Sequence, residues 1–91
     1  LLGDVFAALS DPTRRRILEL LAQSDKTAGE IADCFPITKA SISHHLNVLK
    51  AAGLIRDERE GQKIRYRLNT TVFQEMMKWF FTITGEESDH E

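Results

Sequence analysis

Apolar residues at Leu2, Val5, Phe6 and Leu9 recur every three or four positions, which predicts a short first helix. Asp11-Pro12 restarts the helical pattern, with Asp11 as N-cap and Pro12 at the first helical position, where its missing N–H costs nothing. This second helix is expected to run to about Gln23 and to bury Ile17, Leu18, Leu20 and Leu21. Thr27-Ala28-Gly29-Glu30 has the form of a capping box, a hydroxyl followed three residues later by a carboxylate. It opens a short third helix with Ile31, Ala32 and Phe35, and Pro36 stops it. Thr38 caps a fourth helix, Lys39 to about Ala51, and Gly53 supplies its left-handed stop.

Beyond Gly53 the period changes from about 3.6 to two. Leu54–Arg59 and Lys63–Leu68 flank Glu60-Gly61-Gln62, which predicts a β-hairpin. Its second strand sends Ile64, Tyr66 and Leu68 to one side and Lys63, Arg65 and Arg67 to the other, a wet and basic face. A last helix begins near Asn69 or Thr71, with Thr71 and Gln74 as a second candidate capping box, and runs to about Thr84. The expected fold is mainly α with a two-stranded antiparallel hairpin, a winged helix-turn-helix with a helical dimer interface. Residues 1–85 form its DNA-binding and dimerisation domain, and 86–91 an acidic flexible tail.

The last helix carries Val72, Phe73, Met76, Met77, Trp79, Phe80, Phe81 and Ile83 around most of its circumference. A helix apolar nearly all round must be buried nearly all round. In a 91-residue chain, whose own core is marginal, one side can pack on its own domain and the other on a second copy. The expected homodimer interface is Leu2, Val5, Phe6, Val72, Phe73, Met76, Trp79, Phe80 and Ile83. An ordinary core helix is the plainer reading of the same residues.

Net charge is −2 over the whole chain, which by itself argues weakly against nucleic acid. The distribution argues the other way. Residues 38–68 hold seven Lys or Arg against three acids, whereas 69–91 hold Lys78 against five acids. A basic middle between acidic flanks suits a localised phosphate-contacting surface. On a helical wheel, Ile42, Leu46 and Leu49 form one stripe of the fourth helix, with His45 at its edge. Ala40, Ser43, His44 and Asn47 lie opposite, with Ser41 beside them. Small and polar residues let a helix sink into the major groove, where asparagine can bond adenine in bidentate fashion and serine can meet base edges. Thr38, Lys39 and Ser41 at the helix start are candidates for a phosphate, and Arg59, Gln62 and Lys63 at the hairpin tip for the adjoining backbone or minor groove. Arg65 is expected to support them, while Glu58 and Glu60 moderate the affinity. Arg14, Arg15 and Arg16 oppose the dipole of their own helix. Either Arg15–Glu19 and Arg16–Glu19 pairs, helped by Asp4 or Asp11, or a DNA phosphate would compensate them.

No segment approaches the ~20 apolar residues that span a bilayer, so no membrane insertion is expected, and no signal peptide is visible. The chain opens on Leu1 without a methionine, which leaves its native start open. One cysteine, Cys34, cannot close an internal disulfide, which fits a reducing cytoplasm. Cys34 beside Ile31 and Phe35 reads as a small buried residue, and His45 as a packing or capping residue. The chain is not expected to be an enzyme. It has no Gly-rich phosphate loop, and the serines and histidines of the fourth helix lack an orienting carboxylate at usable spacing.

The strings from Val5 to Leu18 (VFAALSDPTRRRIL), from Thr27 to Ala32 (TAGEIA) and from Ser41 to Leu49 (SISHHLNVL) resemble the ArsR/SmtB winged-helix repressors. The Leu68–Val72 ending of the wing (LNTTV) is most similar to the SdpR-type autorepressors of that family. The resemblance covers nearly the whole chain. It implies a homodimer that binds a two-fold symmetric double-stranded DNA operator and represses transcription. Many members sense metals, and here the chain departs. The third helix carries Cys34 alone where a sensor pattern has Cys-x-Cys, and the last helix has no histidine before the tail. His44 and His45 point about 100° apart on a helix and cannot chelate one ion, and Asp89, His90 and Glu91 sit on the tail. No metal and no cofactor is therefore expected. A metal- or thiol-responsive sensor, and a winged-helix protein-interaction module, stand as alternatives. The inducer, a protein or a small molecule, is left open.

Overall fold

The computed structural model describes residues 2–86, so Asp89, His90, Glu91 and most of the acidic tail lie outside the described residues. Five helices and three strands follow in the order α1 (Leu2–Leu9), α2 (Pro12–Gln23), β1 (Lys26–Thr27), α3 (Ala28–Ala32), α4 (Lys39–Ala51), β2 (Ile55–Glu60), β3 (Lys63–Leu68) and α5 (Thr70–Thr84). No helix among the described residues is long and apolar enough to cross a membrane.

Local chemistry sets most of the boundaries. Asp11 caps α2 by accepting the Arg14 N–H at 3.0 Å. Thr27 caps α3 by accepting the Glu30 N–H at 3.2 Å, while the Glu30 carboxylate takes the Thr27 N–H at 2.8 Å, which completes the expected capping box. Gly53 at φ +80° ends α4. Its N–H reaches the Lys50 carbonyl at 2.9 Å and the Leu54 N–H reaches the Leu49 carbonyl at 3.0 Å, the paired bonds of a Schellman cap. The N-cap of α5 is Asn69, and its side chain caps nothing. Its amide instead donates to the Gly53 carbonyl at 2.9 Å and ties the end of the wing to the end of α4. The Thr71–Gln74 box does not form, because the helix already starts at Thr70.

The wing is an antiparallel pair running from Ile55↔Leu68 to Glu60↔Lys63, joined by Gly61-Gln62. A two-residue hairpin loop needs a positive φ at its first position, and Gly61 supplies it at +64°. The hairpin is joined by a third strand that periodicity does not announce. Lys26 and Thr27 pair with Tyr66 and Arg65, giving the order β1-β3-β2. Thr27 therefore both closes the sheet and caps α3, which binds the helix-turn-helix to the wing.

The core lies where these elements converge. Ile17, Ile31, Ile42, Leu49, Leu54 and Ile55 are its largest fully buried members. Folding also holds two capping carboxyls in their ionised forms. The Thr27 N–H keeps Glu30 below its ordinary 4.5, against a smaller opposing effect of burial. The Arg14 N–H does the same for Asp11 relative to 3.8. Groups whose folded pKa is lowered stabilise the fold fully above their ordinary pKa and lose that contribution as pH falls through the lowered value. A melting temperature that drops from about pH 5 downward is expected. The drop should be shallower in Glu30→Gln, which circular dichroism would read directly.

Candidate nucleic-acid interface

The helix-turn-helix is α3, the turn at 33–38, and α4. Thr38 starts α4 by accepting the Ser41 N–H at 3.1 Å, and its own hydroxyl donates to Ser41 Oγ at 3.0 Å. That arrangement consumes the Thr38 proton and leaves the Ser41 proton available for an outside acceptor such as a phosphate oxygen. Ile42, Leu46 and Leu49 anchor α4 in the core. Lys39, Ala40, Ser41, Ser43, His44 and Asn47 are all exposed, as the helical wheel requires. Ile37, which sequence reading did not single out, is a 40% exposed apolar side chain immediately before the Thr38 cap. Its apolar character beside a helix-start signal was the available cue.

Arg59, Gln62 and Lys63 cluster at the exposed wing tip, with the Arg59 guanidinium curled back to the Gly61 carbonyl at 3.4 Å. The basic face behind the tip is largely neutralised. Arg65 Nε meets both oxygens of Glu60 at 2.9 and 3.0 Å, and this pairing raises its pKa. Arg67 bonds Glu58 at 2.9 Å and approaches Asp25 at 3.7 Å. Lys50 bonds Asp57 at 2.8 Å, which raises the lysine pKa. Charge counting along the sequence thus does not say which cations are paired, because cross-strand neighbours are invisible to it.

Two of the three consecutive arginines find partners that the sequence reading did not name. Arg16 pairs with Glu19 at 3.2 Å as expected. Arg15 does not pair with Glu19, and its Nη1 donates to the Leu9 carbonyl at 2.8 Å. Arg14 donates to the Ala8 and Ala7 carbonyls at 2.7 and 3.2 Å and reaches His45 Nδ1 at 3.2 Å. The C-terminal carbonyls of α1 are the negative end of that helix, so they satisfy cations placed badly for their own helix. His45 is accordingly a packing residue. Cys34 is exposed, which corrects the expectation of burial. α3 ends at Ala32, so Cys34 lies in the turn, with Sγ on the Glu30 carbonyl at 3.4 Å. Among the described residues no three potential ligand side chains converge on a point that could hold a metal.

Phe6, Met77, Trp79, Phe80 and Ile83 are large apolar side chains left exposed. Phe6, Trp79 and Phe80 meet edge to face, with ring centroids 5.3–6.2 Å apart. Of the residues expected at the dimer interface, Val5 and Met76 are instead buried in the chain's own core, and Val72 and Phe73 pack partly against it. The three on α5 lie in its first two turns, whereas Phe80 and Ile83 share their side of the helix one to two turns further on and are exposed there. Leu2 also packs partly on the core.

Residues 9–58 match a family model described as a helix-turn-helix domain. The transcriptional repressor SdpR of Bacillus subtilis (strain 168) is 59% identical over 85 residues, covering 93% of this chain and 94% of the relative. A solved ArsR-like transcriptional regulator from Rhodococcus sp. RHA1 superposes with a TM-score of 0.84 at 37% identity, over 92% of this chain and 79% of that one. A homodimeric winged helix-turn-helix DNA-binding domain, Mb0332 from Mycobacterium bovis, superposes with a TM-score of 0.75 at 28% identity, over 99% and 83%. With its helix-turn-helix, its wing and these relatives, the chain belongs to the ArsR/SmtB family of winged helix-turn-helix DNA-binding transcriptional repressors.

Proposed function

We propose that two copies of this chain, joined through α1 and α5, read a two-fold symmetric operator with α4 in the major groove, and that the protein represses its own transcription unit. The observation that carries the reading is the exposure of Ser43, His44 and Asn47 on one face of a helix whose other face is locked in the core. Thr38, Lys39, Ala40 and Ser41 stand at the end of that helix where a phosphate is favoured. Arg59, Gln62 and Lys63 stand where a wing meets the backbone, with Arg65 behind them. The likeness to a transcriptional repressor over almost its full length supports the repressor part.

Dimerisation is supported by the exposed aromatic surface and by an open cleft of about 720 Å³ beside it, bounded by Leu2, Val5, Val72 and Trp79. The protomer is also elongated, with a radius of gyration of 14.5 Å against about 12 Å for a compact chain of this length. A dimer should place its two α4 helices roughly 34 Å apart, one turn of DNA. Asn47→Ala is expected to weaken specific binding by about 1–3 kcal/mol and to relax sequence choice. Titration against the operator and point-changed duplexes measures this. Equal loss on every duplex would show that Asn47 does not read bases.

A further inference from the structure

The helix that carries Phe6 and the helix that carries the reading face are joined by one side chain. Arg14 Nε and Nη2 donate to the last carbonyls of α1, Ala8 at 2.7 Å and Ala7 at 3.2 Å, while Nη1 lies 3.2 Å from Nδ1 of His45 in the middle of α4. A guanidinium can only donate, so Nδ1 accepts and the imidazole proton sits on Nε2. Asp11 Oδ2 lies 3.9 Å from the same Nδ1 and is already engaged with the Arg14 N–H. The His45 side chain is 15% exposed, so this contact is mostly shielded from water.

The remaining hold on α4 is of a different kind. Ile42, Leu46 and Leu49 fix it by apolar burial, which is non-directional. Other directional links among the described residues, Lys50 to Asp57 and the Asn69 amide to the Gly53 carbonyl just beyond the helix, lie at its C-terminal end. Base readout tolerates misplacements of only about 0.5 Å and 10–20°. Apolar packing thus sets which face of α4 is wet, and a directional bond is suited to fix its remaining few degrees of rotation.

We infer that Arg14 and His45 are positioning residues, a directional link that sets the rotation of α4 against α1 and so aims Ser43, His44 and Asn47 relative to the dimer axis. The inference rests on α4 being the reading helix. It predicts that neither side chain needs to touch DNA for its loss to cost specificity.

The test compares Arg14→Ala, His45→Leu, His45→Asn and the Arg14→Ala/His45→Leu double variant with the parent dimer. Asparagine places its Oδ1 close to the position of Nδ1 and keeps an acceptor for Arg14. Affinity is measured for a duplex that the parent protein selects from a random pool and for an unrelated duplex, beside the dimer state and the melting curve. Arg14→Ala and His45→Leu should each lose about tenfold on the selected duplex, and the double variant no more than the worse single one, as coupled neighbours do. His45→Asn should stay within about threefold of the parent. Binding to the unrelated duplex should not change.

Unchanged selected-duplex affinity in both single variants, or losses that add in the double variant, would overturn the link. An equal loss on both duplexes would overturn it too, by making Arg14 a phosphate contact. Should Arg14→Ala fail to fold, the contrast between His45→Leu and His45→Asn decides the matter alone. Asn47→Ala run alongside separates the two levels. Its impairment beside intact Arg14 and His45 variants sinks the link only, whereas its indifference sinks the reading of α4.

Discussion

Phe80→Asp is expected to turn a stable dimer into a folded monomer and to abolish tight operator binding. Phe80 is 42% exposed and sits edge-on to Phe6 and Trp79, so its ring belongs to the surface rather than to the core. An aromatic anchor at an interface centre is worth about 2 kcal/mol or more when truncated. Two-fold symmetry applies the loss twice, about 4 kcal/mol or roughly a thousandfold in the dimer dissociation constant. The new carboxylate adds a desolvation cost on top. Operator affinity falls with it, because each half-site then binds alone without the high effective concentration that linkage provides. Sedimentation equilibrium and far-ultraviolet circular dichroism give the readout. Ile83→Asp is the companion variant, since Ile83 is 58% exposed and its replacement spares the fold. A folded, undiminished dimer in both variants would remove α5 from the interface.

The second large effect is of salt. Lys39 at the start of α4 and Arg59 and Lys63 at the wing tip are exposed cations that make no carboxylate pair among the described residues. Three per protomer means about six phosphates per dimer, a slope near −5 in log affinity against log salt, and about a thousandfold loss between 50 and 200 mM. Arg65 and Arg67 are excluded from the count by Glu60 and Glu58. Glu60→Gln should free Arg65 for phosphate, steepen the slope by about two and tighten binding at low salt. A slope near zero would point to a protein-interaction module instead of a DNA reader. A parent slope that already includes Arg65, unchanged by Glu60→Gln, would show that DNA displaces the pairing by itself.

Much of this molecule was legible without coordinates because its boundaries are short-range chemistry. Asp11-Pro12, the Thr27–Glu30 box, Thr38 and Gly53 each act within a turn of the chain, and each stands where the pattern placed it. The exposed face of α4 was legible for a related reason. Once Ile42, Leu46 and Leu49 are buried, helix geometry leaves Ser43, His44 and Asn47 no other side.

The failures share a cause as well. Lys26-Thr27 is a strand only because β3 lies beside it, and two residues carry no period of their own. Cys34 looked buried because its apolar neighbours did, yet the helix ends before it. The arginines at 14 and 15 find carbonyls of α1 that are six or seven residues away in sequence and across a helix junction in space. Local patterning alone determined which segments are helix, which are wing and which helix face is wet, since these follow from bonds and spacings within a few residues. Tertiary structure decided which charges stay free, which apolar side chains stay exposed, and which carbonyls and ring nitrogen the Arg14 guanidinium meets. Those properties depend on groups brought together by folding, and no spacing along the chain encodes their distance.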